Sequence, residues 1–373
     1  MRLGKMICLL LTALLLMALL VACGEGNQVA DTPAPEEPAV EETAEEAGEA
    51  AEEVVPEGDS DKIVIGWAMA YFDHPVYQLL MQGAEELVER YYADVVDLVF
   101  VDGKNDPVVQ TSQLDTFIAQ DVDVIILTAA VSDPMLPAIS RVNEADIPLI
   151  IVDRRIMTQG QDVTWEAFVT WDMVLSGTLG AEQVIEATGG EGRVVVVEGT
   201  AGAGSTIDRG GAFYGLLEEY PGIEVIYRVD GDFNRTRGME VTETILRRFP
   251  DPGDFDVIYY MNDEMALGGL QAIKAADRLG EFTIITVDGQ REALDAIRAG
   301  YIDFGVLFRP DEQAVAIHIA VQLARGEEPD FDNIYYLGEP IEVTETDDGF
   351  VWVRPTCYKV DATNAHLPEF TGW

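Results

Sequence analysis

Five polar residues of this 373-residue chain are of types that together can bind neighbouring hydroxyl groups. They are Asp153, Arg154, Arg209, Asn262 and Asp288. A carboxylate accepts hydrogen bonds from hydroxyl groups, whereas a guanidinium group donates several hydrogen bonds in one plane. Each residue follows an apolar run directly, or after a short loop. The set therefore predicts a site for a small polar ligand.

Other residues with the same placement extend this candidate site. Trp171, Phe233 and Phe308 lie beside the polar residues, and an aromatic face can cover the apolar face of a sugar ring. His74 follows the first apolar run, and Ser205 lies in a glycine-rich loop. Taken singly, an acid–base pair could be a surface ion pair and an aromatic residue could belong to the core. Their shared position after apolar runs favours a binding function.

Short apolar runs and amphipathic stretches alternate from residue 62 onwards. The runs are Ile63–Trp67, Val95–Val101, Val124–Leu127, Leu149–Val152, Val194–Glu198, Glu224–Val229, Val257–Tyr260, Thr283–Val287 and Phe304–Leu307. Most lack polar residues at alternate positions, as expected for strands that are covered on both faces. Stretches such as Tyr77–Tyr91 and Arg209–Tyr220 have helical spacing. The alternation predicts an α/β protein, and about ten strands over roughly 310 residues predict two similar domains.

Parallel sheets of this kind also determine where a ligand binds. Ligands lie outside the carboxyl ends of the strands, where the candidate polar residues are found. We therefore expect these residues to meet at one edge of each sheet.

The motifs of nucleotide sites, metal sites and catalytic centres are missing. The loop 199–206 resembles a phosphate-binding loop, but Ser205 stands where the GxxxxGK[ST] pattern needs Lys. Ile207 replaces the third Gly of the GxGxxG pattern. The three histidines are scattered, and no His or Cys pair has the spacing of metal ligands. We expect a protein without enzymatic activity, cofactor or metal.

The charge of the chain disfavours other classes of partner. Asp and Glu outnumber Lys and Arg by 68 to 23, for a net charge of −45. Such a chain repels a phosphate backbone, so we expect no nucleic-acid partner. An anionic membrane surface would not hold it by charge either. The acidic surface is best explained by solubility.

Residues 1–22 have the features of a secretory signal peptide. Two basic residues precede an apolar run over 7–22, whose length of roughly 24 Å is short of a hydrocarbon core of about 30 Å. A short uncleaved anchor is the alternative. The segment 20–23, Leu-Val-Ala-Cys, resembles the lipobox of bacterial lipoproteins, which implies that Cys23 carries acyl chains.

Residues 23–61 comprise the lipidated Cys and an acidic tether. The part from 24 to 61 contains 14 acidic residues, no Lys or Arg and no aromatic residue. Such a segment cannot bury enough apolar surface to offset its ordering entropy, so we expect it to be disordered.

The body of the chain, about 62–345, resembles the ribose-binding-protein-like periplasmic sugar-binding proteins of ABC importers. The motifs that carry the resemblance are, in chain order, Ile147-Pro148, Val152-Asp153-Arg154, Asp208 to Phe213, Gly231-Asp232-Phe233, Asn262 to Gly268, Val287-Asp288-Gly289 and Arg309-Pro310-Asp311. Their order and spacing extend over much of the body, which makes chance agreement improbable.

The resemblance implies an α/β fold of two similar doubly wound parallel-sheet domains, the type I periplasmic binding protein fold, joined by a three-segment hinge. The N-terminal lobe would comprise 62–170 and 309–338, and the C-terminal lobe 171–308 and 339–373. The ligand would lie in the cleft between the lobes. By motif, the five polar residues named first would bind hydroxyl groups, with Phe233 against the ring.

Several positions depart from the family pattern. The chain has His-Pro-Val-Tyr where the family often has Asn-Pro-Phe-Phe, which would shift stacking on the ligand to Tyr77. Thr128 stands where many relatives have Asn-Pro. Trp171 replaces a small residue, and Phe308 replaces the Gln of ribose binders. Because an amide is lost and two aromatic rings are gained, we expect a ligand with a more apolar face than ribose, or of different shape.

The implied function is a lipid-anchored extracytoplasmic solute-binding protein that captures a monosaccharide or polyol and delivers it to an ABC permease. It would act as a monomer attached to the cell membrane through Cys23, in the periplasm or on the outer surface. The alternative is a sensory receptor of the same fold that signals to a chemotaxis or kinase partner. A transcriptional regulator is disfavoured because the signal and acidic tether occupy the place of a DNA-binding helix pair.

Overall fold

The computed structural model describes residues 62–310, 312–331, 335–336, 339–340, 342–345, 351–354, 357–367 and 372–373. The predicted signal peptide, Cys23 and tether lie outside the described residues. Two sheets, each with helices packed on it, belong to one compact unit that extends to Trp373. None of the helices described in the structure is both long and apolar enough to cross a membrane.

The strands and helices alternate regularly along most of the described chain. The strands are β1 (Ile63–Met69), β2 (Val96–Asp102), β3 (Val124–Leu127), β4 (Leu149–Val152), β5 (Ala167–Val169), β6 (Gly192–Glu198), β7 (Ile223–Asp230), β8 (Val257–Tyr260), β9 (Thr283–Asp288), β10 (Phe304–Leu307), β11 (Tyr335–Tyr336), β12 (Glu339–Pro340), β13 (Glu342–Glu345), β14 (Val351–Arg354) and β15 (Tyr358–Asp361). The α-helices are α1 (Pro75–Tyr91), α2 (Pro107–Ala119), α3 (Leu136–Glu144), α4 (Met173–Thr188), α5 (Gly204–Leu217), α6 (Arg235–Arg248), α7 (Asp263–Ala275), α8 (Arg291–Arg298) and α9 (Glu312–Ala324), and a 3₁₀ turn spans Asp133–Met135.

The first sheet has the strand order β13-β14-β5-β4-β3-β1-β2. Strand β1 pairs in parallel with the edge strand β2 on one side and with β3 on the other. One face packs against α1 and α9 and the other against α2 and α3, so the sheet has a hydrophobic core on each side. This burial on both faces explains why β3 and β4 are continuous apolar runs. Together these elements form the first lobe.

The second sheet has the strand order β15-β10-β9-β8-β6-β7. Its strands are parallel except for β15, which pairs antiparallel with β10. Helices α4 to α8 complete this second lobe. The structure therefore confirms the prediction of two α/β domains with parallel sheets.

Local sequence explains where several helices begin. Asp106, Asp172, Asn234 and Asn262 lie directly before α2, α4, α6 and α7, and the side chain of each accepts a hydrogen bond from a backbone N–H of the first turn. Such caps satisfy N–H groups that have no partner within the helix. Asn262 thus has a structural role at a position that the sequence assigned to ligand binding.

The chain crosses between the lobes after Val169, after Leu307 and again between Arg354 and Tyr358. The third crossing differs from the sequence expectation, which placed all of 339–373 in the second lobe. The strands Glu342–Glu345 and Val351–Arg354 instead form a hairpin that extends the first sheet beside β5. This part of the expected boundary is wrong because strand pairing, which no local pattern specifies, decides to which sheet the hairpin belongs.

Candidate ligand-binding site

A cavity lies between the two lobes, at the carboxyl ends of the strands. Eleven of the twelve residues predicted to bind the ligand line it, together with Tyr71, Val76 and Met173. Its free volume is only about 30 Å³ because side chains from the two lobes contact each other across it. This volume is about the share of a single water molecule in the liquid. A sugar ring therefore enters only when the lobes separate.

In the first lobe, Asp153 and Arg154 follow β4. Asp153 has a positive φ of 67°, which turns the chain sharply at the end of the strand. Its Oδ2 accepts a 2.7 Å hydrogen bond from the Tyr77 hydroxyl and lies 3.7 Å from Arg154 Nε. The Arg154 guanidinium donates to Ala130 O at 2.8 Å. Both charged groups are thus buried and held in position before any ligand binds.

The second lobe supplies a matching pair, Arg209 and Asp288. Arg209 Nη2 lies 3.7 Å from Asp288 Oδ1, and Arg209 Nε donates to Ser176 Oγ at 3.1 Å. Nη1 of the same guanidinium donates to the carbonyl of Met261. Asp288 has a φ of 131°, an unusual conformation for a residue with a side chain. The neighbouring Ser205, in the first turn of α5, also lines the cavity.

Hydrogen bonds to the Asp263 carboxylate hold the strained loop that carries Asp288. Asp263 Oδ2 accepts hydrogen bonds from the backbone N–H groups of Gly289 and Gln290 at 2.8 and 2.7 Å, and Oδ1 accepts from Thr286 Oγ1 at 2.7 Å. Burial raises the pKa of Asp263 to about 7. This residue positions the site without lining the cavity, a distinction that the Asn-Asp motif alone did not show.

Burial also raises the pKa of Asp153 and that of Asp288, while the guanidinium groups of Arg154 and Arg209 oppose the shift. With both carboxylates ionised, two negative and two positive charges meet around one small cavity. The site then has no net charge and contains both hydrogen-bond acceptors and donors.

His74 connects the two lobes. Its Nδ1 lies 3.3 Å from Val76 N, and its Nε2 lies 3.1 Å from Asn262 Nδ2. Asn262 Oδ1 accepts from Met265 N, so the amide presents its NH₂ group to the imidazole. A neutral imidazole has one acceptor nitrogen, so the ring accepts from only one of these two donors. Burial, reinforced by Arg154 and Arg209, lowers the pKa of His74 to about 3, so the ring is neutral at pH 7.

Aromatic rings line the remaining walls. Trp171 and Phe308 stack with ring centroids 3.5 Å apart and an interplanar angle of 6°. They lie on the first two crossing segments, and the Arg209 guanidinium lies 4.8 Å from the Trp171 ring. Phe233 adopts a positive φ of 53°, and the Arg154 guanidinium lies 5.5 Å from its ring. The rings thus combine flat apolar surfaces with cations that contact their faces.

Close packing explains two glycines of the glycine-rich loop 199–206. A Cβ atom built on Gly199 would overlap the ring of Phe233, and one on Gly204 would overlap the backbone of Arg155. The absence of side chains at these glycines lets Phe233 and the loop approach closely.

Thr128 does not line the cavity, so its predicted place in the site is wrong. Its Oγ1 accepts a 3.1 Å hydrogen bond from Trp67 Nε1 in the interior of the first lobe. The side chain points away because successive residues of an extended chain face opposite sides of a sheet. Conversely, the sequence reasoning missed Tyr71, although an aromatic residue two positions after β1 was a usable signal.

The sequence and the fold are similar to those of known proteins. The model of the family described as a periplasmic binding protein domain matches residues 65–328. The chain belongs to the periplasmic binding protein family. Members of this family are extracytoplasmic.

The similarity to individual periplasmic binding proteins is moderate in identity and extensive in length. A putative rhizopine-binding protein of Rhizobium meliloti is 32% identical over 268 residues, which cover 70% of this chain and 85% of that protein. The ribose import binding protein of Bacillus subtilis (strain 168) is 28% identical over 254 residues, or 68% of this chain and 79% of that protein.

Among solved structures, an ABC transporter solute-binding protein from Bacillus halodurans C-125 with bound myo-inositol has a TM-score of 0.71 and 27% identity. The alignment covers 84% of this chain and 99% of that one. These relatives bind solutes and are not enzymes, which confirms the prediction that this periplasmic binding protein is not an enzyme.

Proposed function

We propose that the chain captures a neutral monosaccharide or polyol between its lobes and delivers it to an ABC importer. The observation that carries this proposal is the balanced pair of ion pairs around the cavity, Asp153 with Arg154 and Asp288 with Arg209. A ligand with a net charge would add a buried charge that has no partner in this balanced set. A neutral polyhydroxylated ligand can donate to the carboxylates and accept from the guanidinium groups without adding charge.

The aromatic walls support the same ligand class. A sugar or cyclitol ring has an apolar C–H face and polar hydroxyl edges, which suit a cavity with aromatic faces and charged hydrogen-bonding groups. Related proteins are named for ribose and xylitol, and a related structure contains myo-inositol. The stack of Trp171 on Phe308 favours a ligand with a larger apolar face than ribose.

Because each lobe supplies one ion pair, the ligand binds both lobes only when they are closed. Binding therefore shifts the population towards the closed state, and a permease that recognises this state would respond only to the loaded protein. The proposal includes a monomer held at the membrane by acyl chains on Cys23, with residues 24–61 as the tether. The Leu-Val-Ala-Cys sequence at 20–23 supports this anchor.

A melting experiment tests the proposed ligand class. We would measure the melting temperature of the purified protein against pentoses, hexoses, inositols, nucleosides and amino acids. A ligand at 100 times its dissociation constant adds about 2.7 kcal/mol to the free energy of unfolding, which raises the melting temperature measurably. A shift with one group of sugars or polyols supports the proposal. A shift only with nucleosides or amino acids contradicts the proposal, and so does the absence of a shift with every compound.

A further inference from the structure

A second and larger chamber lies outside the inner cavity. Its volume is about 610 Å³, and both lobes contribute to it. The first lobe supplies the loops that follow β1 and β2, and the second lobe supplies the segment from Asp232 to Arg237. The two spaces share Tyr71, His74 and Phe233 in their linings, so they adjoin along these three residues.

The chamber contains hydrogen-bonding groups that the folded chain leaves unused. Asn105 Oδ1 is buried in its wall and has no hydrogen-bond partner among the residues that the structure describes. A buried carbonyl without a partner lowers the stability of the folded chain. Oδ1 has almost no accessible surface, so the half-buried Asn105 side chain rotates to turn it towards the chamber before a ligand can donate to it and remove this penalty. The Asp232 carboxylate, from the opposite lobe, is exposed in the same chamber.

The charges of the chamber disfavour an ionic occupant. Four carboxylates line it, those of Asp73, Asp102, Asp232 and Glu264, against three cationic side chains. Two of these cations are already paired: Arg235 with Glu264 and Glu292, and Arg237 with Glu240. A phosphate or carboxylate group would therefore meet a net excess of negative charge. The remaining fit is to a neutral group with several hydroxyls.

From this geometry we infer that the natural ligand is larger than a single ring. One ring occupies the inner cavity, and a second neutral polyhydroxylated unit extends into the outer chamber, where it donates to Asn105 Oδ1 and to Asp232. The ligand class is thus a disaccharide or a glycosylated polyol. This inference rests on the proposed function of the inner cavity.

Glycine substitutions can test the outer chamber with little disturbance of the backbone. Asn105 and Asp232 have φ angles of 55° and 56°, which glycine adopts readily, so Asn105→Gly and Asp232→Gly remove a side chain without imposing backbone strain. Asp121→Gly is the matched control, because Asp121 has a φ of 54° and precedes β3, at the opposite edge of the first sheet.

The assay is calorimetric titration of the full protein with pairs of neutral sugars. Melibiose and lactose are compared with galactose, maltose and cellobiose with glucose, and galactinol with myo-inositol; any other ring that raises the melting temperature is compared with a disaccharide that contains it. We expect at least one larger ligand to bind about tenfold or more tightly than its single ring. Asn105→Gly should weaken that ligand about tenfold and the single ring less than about twofold, whereas Asp121→Gly changes neither.

Three outcomes are distinguishable. If no disaccharide or glycoside binds more tightly than its ring, or if the gain persists in both Asn105→Gly and Asp232→Gly, the outer chamber is not a subsite and the inference is wrong. A gain with glucose 6-phosphate but not with neutral disaccharides also overturns it, because the occupant is then an anion. If neither rings nor larger sugars bind, the proposed function itself fails.

Discussion

The buried imidazole of His74 leads to a quantitative prediction about pH. The pKa of His74 lies at about 3 in the folded protein, below an ordinary value of 6.5. The unfolded chain therefore takes up a proton that the folded chain does not, as the pH falls below about 6.5. The contribution of His74 to stability is complete above that pH and is lost as the pH falls towards 3. Between about pH 7 and about pH 5.5 the loss is about 1.3 kcal/mol.

The substitution His74→Asn isolates this contribution. Asn is a favoured residue before a helix and can replace His74 at the start of α1, but it does not titrate. The difference in free energy of unfolding between wild type and variant should therefore change by about 1.3 kcal/mol between the two pH values, in favour of the variant at the lower pH. Carboxylates such as Asp263, whose raised pKa changes stability with pH in the opposite direction, are present in both proteins. Their contribution to the free energy of unfolding therefore cancels in the difference between wild type and variant.

Urea unfolding of the ligand-free protein at both pH values is the assay, with His318→Asn as the control for a histidine that is exposed. We expect the free energy of unfolding of the control to change between the two pH values as that of the wild type does. If the difference between wild type and His74→Asn is the same at both pH values, then His74 is accessible to water in the folded protein. The inference that the contact between His74 and Asn262 keeps water from the imidazole in the ligand-free protein would then be refuted.

Three further substitutions have expected outcomes. Tyr77→Phe removes the hydroxyl that donates to the buried Asp153 carboxylate, and loss of a hydrogen bond to a charged group should weaken sugar binding about tenfold or more in calorimetric titration. Phe308→Gln breaks the stack on Trp171 and adds an amide, so the order of preference in the melting panel should change; an unchanged order would mean that Phe308 does not contact the ligand. Cys23→Ser should move the protein from the membrane fraction to the soluble fraction on cell fractionation, and retention in the membrane would contradict the lipid anchor.

Much of the fold follows from local sequence because its strands are buried on both faces. The predicted runs Val124–Leu127, Leu149–Val152 and Val257–Tyr260 coincide with β3, β4 and β8. A strand between two layers of helices has no polar face, so its ends coincide with the ends of the apolar run. Helix ends were less predictable: the helix expected from Arg209 begins at Gly204, because the residues before Arg209 include Gly, Ser, Thr and Asp, which have low intrinsic helix propensity.

The candidate site was also predictable to a large extent, for a topological reason. In a parallel sheet all carboxyl ends lie at one edge, so residues far apart in sequence, such as Phe233 and Asp288 of the second sheet, converge without any local sign of it. The direction of a side chain was not predictable in the same way. Thr128 follows β3 and faces the core, whereas Tyr71 follows β1 and faces the cavity.

The sequence by itself thus determined the class of fold, the edge at which the site lies and the types of group that surround it. Only the tertiary structure decided that β13 and β14 join the first sheet, that Trp171 stacks on Phe308, and that a second chamber adjoins the first. The physical reason is the range of the interactions. Burial and spacing are recorded in neighbouring residues, whereas strand pairing and contacts between lobes depend on surfaces that meet only after the chain has folded.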